Sequence, residues 1–182
     1  PIIYTGGGVI QGGAEKELTK TVQALGYPCT NTLMGLGGFP ASDPLFIGML
    51  GMHGTYESNM AMYECDVMLA VGARFDDRVT GDLKKFSPTA RIIHVDADPT
   101  SIGKNVRVEV PIVGEAKEVL ADMHALIPDN GERSNAEAIE KWWQRIKEWQ
   151  GLKSLNYDRD SELIKPQFVI EKLFEVTGGD AF

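Results

Sequence analysis

The sequence predicts an α/β protein built on a doubly wound, mostly parallel sheet of about six strands with helices on both faces. Three observations predict it. Short apolar runs, residues 66–71 above all, lack the polar alternation of a half-wet strand, as parallel strands covered on both faces should. These runs alternate with segments whose apolar residues recur at helical spacing. Glycine-rich turns follow the runs, at the carboxyl ends of strands, where the ligands of open α/β sheets collect.

A chain of 182 residues suits one main domain with an appendage. Its net charge of −8 excludes nonspecific binding to nucleic acid or to an anionic membrane surface, since both need a basic face. No run approaches the roughly 20 apolar residues that span a bilayer, and the first residues lack the charged region and apolar core of a signal peptide. Small molecules and proteins remain as partners. Cys29 and Cys65 form neither a CxxC pair nor a zinc spacing, so no metal ligand is assigned and a reducing cytoplasm is expected. The abrupt start at Pro1 and the end at Phe182 read as cuts in a longer polypeptide.

Ile2–Thr5 is the first strand, followed by Gly6, Gly7 and Gly8 and a helix with Ala14, Leu18, Val22 and Leu25 on one face. The dinucleotide fingerprint fails, because Gln11 stands where its last glycine is required and Gly12 comes one residue late. No Gly-Lys-Ser/Thr follows, so nucleoside triphosphate hydrolysis is not indicated. The turn suits an anion or close backbone packing, and both readings stand. Gly26 ends the helix. Residues 27–30 restart an extended segment, and residues 31–40, rich in glycine, read as a long mobile connection without a packed element. After residues 45–50 come Gly51, Met52, His53 and Gly54. His53 has no neighbour at metal-ligand spacing and reads as a loop residue rather than a ligand or base. Thr55 caps a short helix reaching Tyr63.

Residues 72–81 read Gly-Ala-Arg-Phe-Asp-Asp-Arg-Val-Thr-Gly. Gly72 allows a ligand near the backbone, and Arg74 and Arg78 carry forked donors suited to phosphates, with Asp76 and Asp77 placed to orient them. The competing reading is a solvated, charge-balanced turn. Arg91–Asp96 is the next strand, with Asp96 at its carboxyl end, where dinucleotide-binding folds hold ribose hydroxyls. Residues 106–113 form a further extended run. Glu115 lies in the first turn of a helix, as a ligand or a capping residue, and Ala116, Val119, Leu120, Met123 and Leu126 form its buried face. Residues 128–131 read as a linker. Ser134 and Glu137 make a capping box for a helix whose stripe of Ile139, Trp142, Trp143 and Ile146 is expected to dock on a neighbouring domain. A polar stretch leads to a helix from Pro166 with Val169, Ile170, Leu173 and Phe174 buried, and the chain stops as a strand begins.

Five motifs in this order carry a resemblance: Tyr4-Thr5-Gly6-Gly7-Gly8, Asn31-Thr32-Leu33-Met34-Gly35, Leu50-Gly51-Met52-His53-Gly54, the 72–81 loop, and Ile93-His94-Val95-Asp96-Ala97-Asp98-Pro99. The chain resembles the catalytic subunits of the acetohydroxyacid (acetolactate) synthases, thiamine-diphosphate enzymes of branched-chain amino-acid biosynthesis. The resemblance implies a Rossmann-like central domain over residues 1–127, a linker with an amphipathic helix over 128–165, and over 166–182 the start of the thiamine-diphosphate-binding domain. It implies that the central domain holds FAD, which undergoes no net redox change. The matching flavin positions are Gly6, Gly7 and Gly8 near the diphosphate, then Thr32, Leu33, Met34, Leu50, Gly51, Met52, His53, Gly72, Ala73, Arg74, Asp76, Arg78 and Val79. Asp96, Ala97, Glu115 and Ala116 fall toward the adenosine. Met52, Asp77 and Arg78 also match positions lining the substrate channel, and Asp96 stands where some relatives carry glutamate.

No catalytic residue is assigned, because the family's activating glutamate belongs to the first domain and its Mg2+ and diphosphate motif to the third. This chain alone is therefore expected to be inactive. The full protein is expected to join pyruvate to a second 2-ketoacid with release of carbon dioxide, as a homodimer or larger assembly with a small regulatory subunit. The competing readings are a flavin-using relative of the pyruvate oxidase type and a cofactor-free assembly domain.

Overall fold

Nearly unbroken burial along the central strands, Ile2–Thr5, Cys29–Asn31 and Val67–Val71, puts the middle of the sheet under cover on both faces. In a computed structural model, residues 1–128 and 135–180 are described, within two compact units, Pro1–Gly151 and Leu152–Phe182. The strands are β1 (Ile2–Thr5), β2 (Cys29–Asn31), β3 (Phe46–Met49), β4 (Val67–Val71), β5 (Arg91–Asp96) and β6 (Val110–Val113). They form one six-stranded sheet in the order β3-β2-β1-β4-β5-β6 with every pairing parallel, as the apolar runs predict. The chain begins at the centre, builds to one edge, then crosses back to β4 and builds to the other. Strand order therefore reverses between β1 and β4, and the crevice beyond their carboxyl ends is where such sheets bind ligands.

The helices are α1 (Gly7–Gln11), α2 (Glu15–Leu25), α3 (Tyr56–Glu64), α4 (Asp77–Thr80), α5 (Ala116–Ala125), α6 (Ala136–Gln150) and α7 (Pro166–Thr177). Alternation along each strand sends successive side chains to opposite faces. Ile3, Leu69, Val71 and Val95 meet Leu18 and Val22 of α2 and Leu120 of α5. Ile2, Tyr4, Met68 and Ile92 meet Met62 of α3 with Ile146 and Trp149 of α6. The helix expected through Ala14 is interrupted by Gly12 and Gly13, the latter at φ 59°. Gly26 ends α2 in the left-handed region at φ 67°, donating its N–H to the Val22 carbonyl. Thr55 caps α3 as predicted, accepting from the Ser58 amide.

Several expectations are corrected. Residues 31–40 are packed: Gly35 and Phe39 are buried, and Leu33–Gly35 forms a 3-10 turn. The Asn31 side-chain amide, donating to the Gly35 carbonyl, and the Thr32 hydroxyl, accepting from the Gly35 amide, supply the order that composition did not suggest. Of the 106–113 run only Val110–Val113 pairs as a strand. Leu126 is 83% exposed, because α5 has already ended and Leu126 serves as its C-cap. The stripe of α6 covers its own unit, with Ile139, Ile146 and Trp149 buried. The Trp142 indole N–H donates to the Pro1 carbonyl and that of Trp143 to the Gly26 carbonyl, both at 2.9 Å. Val169, Ile170, Leu173 and Phe174 of α7 are exposed rather than buried, since no described part of the 31-residue second unit covers that face. The capping box at Ser134, linker residues 129–131 and the last two positions, Ala181 and Phe182, lie outside the described residues. Among the described residues, no helix is long and apolar enough to cross a membrane.

The placement of α6 separates two substitutions. Ile146→Ala, at a fully buried position, is expected to lower the stability of the first unit by roughly 2–4 kcal/mol, whereas Leu126→Ala should stay within about 0.5 kcal/mol. Urea unfolding followed by tryptophan fluorescence measures both.

Candidate functional site

At the reversal between β1 and β4 two backbones meet at very short range. Gly6 donates its N–H to the Val71 carbonyl at 3.0 Å, Gly8 donates to Gly72 at 3.1 Å, and Gly72 donates to Val95 at 2.8 Å. A Cβ on Gly6 would stand 2.2 Å from the Gly72 oxygen, and one on Gly8 would stand 2.7 Å from the Gly72 Cα. Gly72 itself adopts φ +58° and has no room for a side chain against Gly8. At Gly6 and Gly8, then, close packing explains the glycines. Their amides are committed to β4 and its loop, so a ligand phosphate receives neither. Gly7 is half-buried and its missing side chain would meet Met34.

The 3-10 turn beside it is capped by Thr32, whose hydroxyl accepts from the Gly35 amide at 3.0 Å, and it presents Leu33 and Met34 about 70% exposed. The next motif is tied to the arginine loop. Gly51, at φ +95°, leaves no space for a Cβ against the Arg78 carbonyl, and Met52 donates its N–H to that same carbonyl at 3.1 Å. Asn59 of α3 grips Gly51 from both sides, accepting from its amide at 2.9 Å and donating to its carbonyl at 3.0 Å. Asn59 was not singled out from sequence; its place one helical turn after the Thr55 cap is the available signal. Met52 and His53 are exposed, while Leu50 belongs to the core.

In the arginine loop Phe75 is the anchor. It is buried at φ 56°, a conformation that costs a non-glycine residue roughly 1–2 kcal/mol, and it packs edge-on against Tyr4, Phe86 and His94. With Phe75 turned inward, Arg74, Asp76, Asp77 and Arg78 are left exposed. Arg74 pairs with Asp76 at 2.8 Å, as expected. Asn105, also missed from sequence, donates to the Phe75 carbonyl at 3.0 Å from the loop after β5. The side chains of Ala73 and Val79 face the core, which leaves a ligand chiefly their backbone.

Asp96 ends β5 as predicted. One of its carboxylate oxygens accepts from the Asp98 amide at 2.9 Å, so a single oxygen remains for a hydroxyl. Ala97 and Glu115 are exposed and Ala116 is buried. Glu115 occupies the N-cap position of α5 without a side-chain capping bond, and its carboxylate lies 3.8 Å from where a Gly12 Cβ would be. The Gly6–Gly8 turn, the 3-10 turn, residues 50–54 and residues 72–81 are thus brought together, with Asp96 and Glu115 on the β5–β6 side. A cavity of about 810 Å³ opens elsewhere, beside residues 83–92 and 105–109 at the start of β5, and none of the predicted site residues lines it.

Beneath the loops lies His94, fully buried, with neither ring nitrogen in a well-formed hydrogen bond, the Ala73 backbone nearby and Nε2 3.9 Å from Asp96. Burial pushes its pKa below the usual value, partly opposed by the Ala73 backbone and Asp96. Burial likewise pushes the Tyr4 hydroxyl upward, reinforced by Asp76. The outward-facing set combines apolar Leu33, Met34 and Met52 with cationic Arg74 and Arg78. That combination fits a ligand that is part flat ring and part polyanion, and FAD is such a ligand.

Residues 1–123 match the family described as thiamine pyrophosphate enzyme, central domain. Over all 182 residues the chain is 50% identical to the acetolactate synthase isozyme 3 large subunit of Escherichia coli (strain K12), covering 32% of that protein. It is 48% identical over its full length to the acetolactate synthase large subunit of Haemophilus influenzae, again covering 32% of it. Over 97% of the chain it is 48% identical to a probable acetolactate synthase large subunit of Methanocaldococcus jannaschii, covering 29% of that relative. The chain therefore spans about a third of the length of the curated relatives it matches.

Two outcomes follow from the geometry. Gly8→Ala is expected to destabilise the first unit by roughly 3 kcal/mol or more, since backbone must move to admit the methyl group; thermal unfolding tests it. His94 has a depressed folded pKa, so its contribution is present above the unfolded value of about 6.5 and is lost as pH falls through the folded value. His94→Leu should accordingly show a shallower loss of urea resistance on acidification below about pH 6.5 than the unsubstituted chain.

Proposed function

The chain belongs to the thiamine pyrophosphate enzymes, as a central domain, and from this we propose that it is the FAD-binding middle domain of an acetohydroxyacid (acetolactate) synthase large subunit. The observation that carries the reading is that independently spaced sequence motifs converge: residues 6–8, 32–35, 50–54 and 72–81 are hydrogen-bonded or packed against one another at the strand-order reversal. Leu33, Met34 and Met52 offer apolar surface to the rings. Arg74 and Arg78 offer forked donors to the diphosphate, Asp76 holding Arg74 in place, and the free oxygen of Asp96 suits a ribose hydroxyl. Glu115 extends the acceptor set on that side. FAD in this role is a structural component with no net redox turnover.

In the whole protein, thiamine diphosphate and Mg2+ bound by other domains supply the chemistry that joins pyruvate to a second 2-ketoacid with loss of carbon dioxide, in branched-chain amino-acid biosynthesis. The proposal includes a homodimer or larger assembly, a small regulatory subunit and a cytoplasmic setting, with which the free thiols of Cys29 and Cys65 are consistent. It also assigns residues 1–127 to the central domain, 128–165 to the connector and 166–182 to the beginning of the thiamine-diphosphate-binding domain. The uncovered apolar face of α7 supports the last assignment.

FAD titration of the purified chain tests the reading. Saturable binding is expected, and Arg74→Ala and Arg78→Ala should each raise Kd about tenfold or more, as loss of a hydrogen bond to a charged group implies. Unchanged binding in both variants removes the arginine loop from the site. The chain alone, supplied with FAD, Mg2+ and thiamine diphosphate, is expected to form no acetolactate from pyruvate, because general-base assistance and substrate positioning both come from elsewhere.

A further inference from the structure

Asn31 is fully buried at the end of β2, between the loops rather than on their outward face. Its side-chain amide donates to the Gly35 carbonyl at 2.9 Å, and its side-chain oxygen accepts from the Thr5 hydroxyl at 2.6 Å. The orientation follows from chemistry. A backbone carbonyl only accepts, so the NH2 group must face Gly35, and the remaining oxygen then takes the hydroxyl proton of Thr5. The Asn31 backbone carbonyl accepts from the Leu50 amide at 3.3 Å. One residue therefore joins the strand end before Gly6, the turn that carries Leu33 and Met34, and the start of the 50–54 segment.

The turn depends on this link. Gly35 is pressed so close to β1 that a Cβ on it would stand 2.7 Å from the Thr5 carbonyl oxygen, and Gly35 is buried. An apolar side chain at position 31 would leave the Thr5 hydroxyl without a partner and the Gly35 carbonyl held by the Gly38 amide alone, at 2.9 Å. The least costly relief is for the turn to move outward, taking Leu33 and Met34 with it.

We propose that Asn31 is a positioning residue for the flavin face: it touches no ligand, and it fixes the height and angle at which Leu33 and Met34 are presented. The inference rests on the reading of this face as a flavin site. A merely structural role predicts lower stability with unaltered affinity once the protein is folded, whereas positioning predicts altered affinity beyond any change in stability.

The test measures FAD binding by flavin fluorescence in the longest polypeptide that carries this chain, unsubstituted and as Asn31→Leu, Thr5→Val and Ile146→Val. Asn31→Leu removes both side-chain bonds; Thr5→Val removes only one at near-constant shape and serves if the first fails to fold. Ile146→Val is a core control in α6, a helix that supplies none of the residues of the proposed flavin face. Asn31→Leu is expected to raise Kd about tenfold and Thr5→Val about threefold, with faster amide exchange over residues 33–36 in both. Ile146→Val should lower the melting temperature and leave Kd unchanged. FAD binding by the unsubstituted protein together with unchanged Kd in both folded variants overturns this inference alone, as does an equal loss of affinity in Ile146→Val. No FAD binding by the unsubstituted protein overturns the flavin reading and this inference with it.

Discussion

Backbone meeting backbone without side chains between them is the constraint on which the rest of the structure depends. Gly6 and Gly8 lie against Gly72, and Gly35 lies against Thr5 and Gly6, each closer than a Cβ allows. This contact holds together the loops after β1, β2 and β4, and β4 lies beside β1 because the strand order reverses there. It also reassigns the amides of the triple-glycine turn. In a phosphate cradle they point at the ligand; here those of Gly6 and Gly8 point at β4 and its loop.

The layer beneath the loops is correspondingly close-packed. Phe75 accepts a left-handed backbone so that its ring fills the space between Tyr4, Phe86 and His94, and Asn105 holds its carbonyl from the opposite loop. Such strain persists where surrounding packing over-determines it, and it clusters at ligand sites. Its local effect is concrete: with residue 75 turned inward, residues 74, 76, 77 and 78 are exposed together. The arginine loop is thus aimed by an apolar side chain. Asn31 and Asn59 do the same for their neighbours by hydrogen bonding, one below the 3-10 turn and the other behind Gly51.

The sheet was legible in the sequence because continuous apolar runs such as Val67–Val71 have few alternatives in a soluble α/β chain. The glycines were legible as turns but not as a mutual contact, since which backbones approach one another is a property of strand order. Residues 31–40 were misread because composition counts glycines and does not see that Asn31 and Thr32 supply their hydrogen bonds. The stripe of α6 was correctly apolar, but periodicity gives a face and not its partner; the bonds from Trp142 and Trp143 identify its own unit. For α7 periodicity misled in the other direction, since an apolar face is a request for cover, which no described part of the second unit provides. Asn59 and Asn105 escaped notice because an isolated asparagine in a helix or loop has no pattern to mark it.

The central claim is that the face formed by residues 6–8, 32–35, 50–54 and 72–81, with Asp96 and Glu115 beside it, is where FAD binds. Amide hydrogen exchange of the chain with and without FAD tests it most directly, because it reports every loop at once without substitution. The account predicts slowed exchange in residues 32–36, 50–54 and 72–81 and no change in residues 83–92 and 105–109, which line the cavity beside the start of β5. Slowing confined to that cavity, or none anywhere at saturating FAD, would contradict it.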